Sequence, residues 1–191
     1  MKLLIKNGRL IDPAAGVDRG MDILIENGKF KEIAASIKKI SGCPIIDARD
    51  MVIAPGFIDI HTHLREPGQE NKESIESGAR AAVHGGFTSL ACMANTEPVN
   101  DNRSVTEYII ARARQVGLVN IFPVAAVSRG QLGENLVEMA DLVEGGAVAF
   151  SDDGHCVMKA DLIRKALEYA KMLDVPIIEH PEDHSISAEG Q

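Results

Sequence analysis

The stretch Pro55-Gly-Phe-Ile-Asp-Ile-His-Thr-His-Leu-Arg-Glu-Pro-Gly68 closes an apolar run that begins at Val52 and ends at Ile60. In a strand, side chains at i and i+2 share a face. His61 and His63 therefore project together from a strand end, and Arg65 follows on the same side. Two imidazoles converging on one point suit a borderline cation such as zinc. The same pair in a solvated loop would carry no chemistry. The buried strand leading in and the Arg65–Gly68 turn leading out favour a site.

Outward from this stretch the pattern repeats. Apolar, β-rich runs begin near residues 52, 87, 119, 147 and 176. Helical periodicity fills the gaps: Asn71 to His84, Asn102 to Val116, Asn135 to Val143 and Asp161 to Leu173. The first three of these helices stop at glycine, and a short β run follows each of the four. This is the pattern of successive βα units on a parallel sheet. The units are about 30 residues long, so eight would need roughly 250, the size of a (β/α)8 barrel. Residues 52–191 hold four such units and a fifth strand, the first half of a barrel. An open doubly wound sheet is the alternative. The polar residues favour the barrel, because His61, His63, Asn95, Asp152, Asp153 and His180 all fall just after strands.

Residues 1–51 have a different rhythm, with short apolar runs separated by Asn7-Gly8 and Asn27-Gly28. Asn-Gly between such runs signals a hairpin, so a small antiparallel sheet is expected there as a separate domain. Such a sheet needs a partner face.

Composition narrows the function classes. The 191 residues are 45% hydrophobic and 25% charged, with a net charge of −8 and no basic run, which argues against a nucleic-acid surface. Neither a signal peptide nor a membrane span is apparent. Cys43, Cys92 and Cys156 are odd in number and widely spaced, as expected of reduced thiols in a cytoplasmic protein. No histidine stands beside Cys92 or Cys156 to activate a thiol.

The remaining candidates lie in the loops. Asn95 can hydrogen-bond an amide or carboxylate. Asp152 and Asp153 together behind a buried strand are costly without neutralisation, so a cation is expected near them. His180 is expected as a ligand, with His184 in support or at the surface. His84 is read as a helix-end residue, and His155 as a loop residue. Histidines and an aspartate from three strand ends suit a hydrolytic site with one or two metal ions. There a metal would lower the pKa of water and polarise the carbonyl under attack. Arg65 is placed to hold a substrate carboxylate bidentately.

The block Pro55–Gly68, the segment Met93-Ala-Asn-Thr96, Phe150-Ser-Asp-Asp-Gly154 and His180-x-Glu-Asp183 together resemble the dihydroorotases, of the bacterial class I type in the amidohydrolase superfamily. The resemblance runs over the whole chain and implies that residues 1–51 belong to a β-sandwich completed by the C-terminus. It implies that His61 and His63, with Asp153 as the metal-site carboxylate, hold the more buried zinc, and that His180 serves a second. Arg65 and Asn95 would hold the carboxylate of N-carbamoyl-L-aspartate or L-dihydroorotate, interconverted in pyrimidine synthesis. Hydantoinases and allantoinases share the paired histidines but usually add a carboxylated lysine, where this loop offers Asp153.

The sequence departs from that pattern at Ala94, where proline is common, and at Pro181, where a small residue is usual. Neither removes a functional side chain. The resemblance also places a further histidine ligand and the general acid/base aspartate beyond Gln191. The chain is thus expected to be the N-terminal part of a longer protein and inactive by itself. A hydantoin or dihydropyrimidine hydrolase is the enzymatic alternative. A non-catalytic partner of aspartate transcarbamoylase is the alternative from another class, and homodimerisation is left open.

Overall fold

The computed structural model describes residues 1–187 and falls into two compact units, Met1–Pro55 and Gly56 onward. The first holds β1 (Lys2–Asp12), β2 (Val17–Glu26), β3 (Lys29–Ala34), β4 (Ile45–Asp47) and β5 (Val52–Ile53). Its strand order is β3-β2-β1-β4, with β5 also pairing β1. The β1–β2 and β2–β3 pairs are antiparallel, but β4 and β5 run parallel to β1, so the sheet is mixed and not antiparallel throughout.

The two Asn-Gly pairs behave differently. Asn27 and Gly28, at φ 52° and 75°, make the hairpin turn between β2 and β3, since both central positions of such a turn need positive φ. Asn7, at φ 66°, lies inside the continuous strand β1, where the register with β2 shifts between Ile5 and Gly8. The expected turn there is a β-bulge. The apolar run from Val52 is also divided. Val52 and Ile53 pair with Arg9 and Leu10 of β1, and Pro55, which has no N–H to donate, stands before the next strand.

The second unit carries β6 (Phe57–Thr62), α1 (Ile75–His84), β7 (Phe87–Cys92), α2 (Arg103–Val116), β8 (Asn120–Ala125), α3 (Met139–Glu144), β9 (Ala149–Phe150) and α4 (Ala160–Leu173). All pairs in the sheet β6-β7-β8-β9 are parallel. This is the βα alternation expected, as a parallel half-barrel sheet. The fifth strand reduces to one parallel bridge, Phe150 with Ile177.

Local chemistry sets the helix limits. Ser74 caps α1 through the Ser77 amide, and the Ser77 side chain returns the bond to the Ser74 amide. Asn102 caps α2 through Val105 N, and Gly117 ends that helix in the left-handed conformation. The buried faces of α1 and α2, with Ile75, Ala79, Val105 and Ile109, pack on Leu90 and Cys92 of β7. Phe150, Leu162 and Ala166 anchor a second cluster around β9 and α4. Among the described residues no helix is long and apolar enough to cross a membrane.

Candidate metal centre

The centre is assembled from the C-terminal ends of parallel strands. The end of β6 is pinned to β7 by two bonds: Thr62 Oγ1 donates to Ala91 O at 2.9 Å and Met93 N donates to Thr62 O at 2.9 Å. His63 and Asn95 thereby leave adjacent strand ends together. Across the sheet, β9 runs directly into Ser151, Asp152 and Asp153. Ile178 N donates to Phe150 O at 2.8 Å, which brings His180 to the same rim.

His61 Nε2 lies 3.2 Å from Asp153 Oδ1, and His63 Nε2 lies 3.5 Å from Asp153 Oδ2. One ligand atom from each of these residues falls within 4.8 Å of the others. The two rings meet edge to face with centroids 5.3 Å apart. His180 stands at the margin: its Nδ1 is 3.8 Å from Asp153 Oδ1, and its Nε2 is 3.2 Å from Glu182 Oε2. The side chain of His184 lies outside the described residues.

The donor set can be tested against a divalent cation on its own chemistry. His63 Nδ1 sits 3.0 Å from Asn95 Oδ1. An amide oxygen only accepts, so this bond puts the imidazole hydrogen on Nδ1 and leaves the Nε2 lone pair free. That lone pair faces the Asp153 carboxylate, itself only an acceptor when ionised. Two lone-pair groups converging in this way repel unless a proton or a cation lies between them. Two imidazoles and a carboxylate are also the donor types zinc accepts. The fit is good, and the bond to Asn95 is the kind of support that orients a ligating histidine.

The paired aspartates take different roles. Asp152, 3% exposed, accepts from the amides of Val127 at 2.8 Å and Ser128 at 3.0 Å, and from the Ser128 hydroxyl. Burial raises its pKa above the usual carboxylate range against the pull of those hydrogen bonds. Asp152 thus ties the end of β9 to the end of β8, and Asp153 alone turns to the histidines. The expectation that both carboxylates answer to a cation is corrected in that respect. Ordinary hydrogen bonds satisfy the first.

Arg65 has φ 55°, a left-handed conformation few non-glycine residues adopt, and its guanidinium donates to Asn95 O at 3.1 Å. The two loops interlock further on. Glu97 N donates to Pro67 O at 2.9 Å. A Cβ on Gly68, at φ +91°, would lie 1.8 Å from Glu97 O, so only glycine permits this approach. Asn95 Oδ1 reaches His63 while its main-chain oxygen reaches Arg65. One residue therefore connects the histidine cluster to the arginine.

Three further residues that the sequence reading did not single out support the site. Asn100, fully buried, donates to Val124 O at 3.1 Å and accepts from Thr106 Oγ1 at 2.7 Å, joining the loop after β7 to β8 and α2. Glu179 accepts from Val157 N at 3.0 Å and steadies the loop beyond Asp153. Glu66 is the third, with partners on α1 and α2. A polar residue inside an otherwise apolar or turn-forming segment was the available hint for each. Cys92 is buried and its thiol is pushed up to about 12 by burial, so it is no nucleophile at neutral pH.

Comparisons with known proteins bear on the family and the fold. A dihydro-orotase-like family profile matches residues 50–191. The dihydroorotase of Geobacter sulfurreducens is 53% identical over 190 residues, and that of Syntrophus aciditrophicus 55% over 191. Each match takes in 100% of this chain and 45% of the relative, so the chain spans less than half the length of these curated proteins. Among solved structures, an L-hydantoinase (dihydropyrimidinase) from Arthrobacter aurescens superposes with a TM-score of 0.84 at 21% identity, over 98% of this chain and 42% of that one. A D-hydantoinase (dihydropyrimidinase) from Thermus sp. gives 0.74 at 24%, over the same shares. These two establish likeness of fold alone. With a matching profile over most of its length and a strand-end cluster of the expected residues, the chain belongs to the dihydro-orotase-like family.

Proposed function

We propose that this chain is the N-terminal portion of a cytoplasmic, zinc-dependent dihydroorotase, interconverting N-carbamoyl-L-aspartate and L-dihydroorotate. The observation that carries the reading is the coupling of Arg65, through Asn95, to the group His61, His63 and Asp153. A hydrolytic centre with a fixed guanidinium beside it suits a cyclic amide that bears a carboxylate. Apolar side chains on the edge strand β6, Ile58 at 66% and Ile60 at 69% exposed, support a barrel completed by further chain, since parallel sheets are normally covered on both faces. By the same reading the first unit, Met1–Pro55, is part of a β-sandwich, and the chain from Gly56 onward is the first half of the barrel. The three cysteines are free thiols, which suits a reducing compartment.

In this assignment His61, His63 and Asp153 hold zinc, and His180 serves a second ion where one binds. Bound zinc supplies Lewis acidity toward a carbonyl oxygen and eases the ionisation of water. The chain's own residues do the rest of what this half contributes. Arg65 pairs with the substrate carboxylate through two parallel N–H bonds, and the Asn95 amide nitrogen donates to the same group. Asn95 Oδ1 keeps the hydrogen of His63 on Nδ1. Asp152 fixes the strand end from which Asp153 projects. In hydrolysis water adds to the ring amide carbon, the C–N bond breaks and the nitrogen takes a proton; in cyclisation the nitrogen attacks the carboxyl carbon and water leaves. The proton carrier is assigned to an aspartate beyond Gln191, so the 191-residue chain alone is expected to show negligible turnover.

The test is an assay of the full-length protein on dihydroorotate, hydantoin and dihydrouracil. We expect dihydroorotate to be preferred by about a hundredfold or more, the discrimination a site gains from a charged partner that would otherwise go unpaired. Hydantoin turnover without dihydroorotate turnover would establish the hydantoinase alternative. No turnover of any ring together with no zinc would favour a non-catalytic partner protein.

A further inference from the structure

We infer that Glu66 is a positioning residue for the substrate carboxylate, holding Arg65 in its binding conformation by clamping the loop to α1 and α2; this rests on the dihydroorotase reading above. Glu66 follows Arg65 directly, and its carboxylate bonds to α1 and α2. The residue is 6% exposed. Its Oε2 accepts from Ile75 N, the first amide of α1, at 2.7 Å. Its Oε1 accepts from Arg112 Nε at 2.9 Å and from the Tyr108 hydroxyl at 3.2 Å, both on α2. A first-turn helix amide has no partner within its own helix and favours negative charge. The carboxylate is therefore neutralised from two directions.

What the clamp holds is informative. On one side of Glu66 stands Arg65 at φ 55°, a left-handed conformation that is costly for an L-residue and persists only where the surroundings impose it. On the other side stands Pro67, whose carbonyl accepts from Glu97 N at 2.9 Å. The front of the loop thus meets the Asn95–Glu97 segment, while the Glu66 carboxylate fixes its back to two helices. An arginine side chain carries much rotamer freedom, and its bidentate grip depends on orientation. None of the bonds made by the Glu66 carboxylate goes to His61, His63 or Asp153. Loss of the clamp should therefore reach carboxylate capture and leave the metal in place.

A double-mutant cycle in the full-length protein tests this. E66A is expected to raise KM for dihydroorotate by about tenfold or more, with kcat changed less than about threefold and zinc content unchanged. In an R65A background E66A should have no further effect on KM, because two residues acting through one interaction are non-additive. Should E66A fail to fold, R112Q enters the same cycle with the same expectations. An unchanged KM, or an equal rise with and without Arg65, overturns the role. A parent active on dihydroorotate with an additive cycle sinks this inference alone. A parent active only on carboxylate-free rings sinks the substrate reading, and this inference with it.

Discussion

Asp22 in the N-terminal sheet and Asp153 at the rim of the half-barrel are both aspartates largely removed from water, and their surroundings differ in kind. Asp22 is 3% exposed and accepts from the Lys6 ammonium, from Asn7 N at 2.9 Å and from Ile37 N at 2.8 Å. Lys6 in turn donates to Ile37 O at 2.6 Å, so the pair is closed on itself. Burial opposes ionisation of Asp22, but Lys6 and the two amides outweigh it and hold the carboxyl below its usual range. The Asp153 side chain is 12% exposed, and the partners it meets among the described residues are the imidazoles of His61, His63 and His180. One carboxylate is met by an ammonium and two amides, the other by imidazoles. That difference in partners sets the two aspartates apart more sharply than burial does.

Breaking the closed pair should have the largest effect on folding. Asp22→Ala leaves Lys6 without its partner and should cost about 3–5 kcal/mol in denaturant titrations. The sign of the pH dependence follows from the lowered pKa. The stability Asp22 contributes is present above the unfolded value near 4 and is lost as pH falls through the lower folded value, so the variant should lack that acid-side loss.

A smaller effect is expected at Cys92, a third buried ionisable group with no charged partner. Its folded pKa of about 12 lies above the unfolded value near 8.5. The unfolded chain therefore loses its proton first, and stability should fall as pH rises above about 8.5, by at most about 1.4 kcal/mol per pH unit. Cys92→Ala should flatten that slope, measured as the difference between parent and variant from pH 8 to 10. The smallest change is expected at the open site. Without metal, Asp153→Ala should alter stability by less than about 1 kcal/mol, since the carboxylate has no fixed cation to lose. A loss as large as that of Asp22→Ala would erase the distinction between the two aspartates.

Much of the site was legible because it depends on short-range rules. The i, i+2 spacing brought His61 and His63 to one face, and the strand-end rule brought Asp153 and His180 to the same rim. What escaped depends on pairing across the chain. Asn7-Gly8 and Asn27-Gly28 look alike locally, since a bulge and a hairpin turn both accept a left-handed asparagine; only the partner strand tells them apart. Val52 and Ile53 carry the β-propensity of the next strand, yet find their partners in β1. Asp152 and Asp153 are neighbours in sequence, and only the amides of Val127 and Ser128 reveal that the first is already satisfied. Glu66 and Arg112 lie 46 positions apart, beyond any local pattern.

The claim that Asp153, His61 and His63 form a metal centre is tested most directly by titrating zinc into the metal-free full-length protein and its Asp153→Ala variant against a chromophoric chelator. Tight binding is expected of the parent, with an affinity lower by about a hundredfold or more in the variant, as loss of a ligand requires. Equal zinc affinity in the two proteins would contradict that claim.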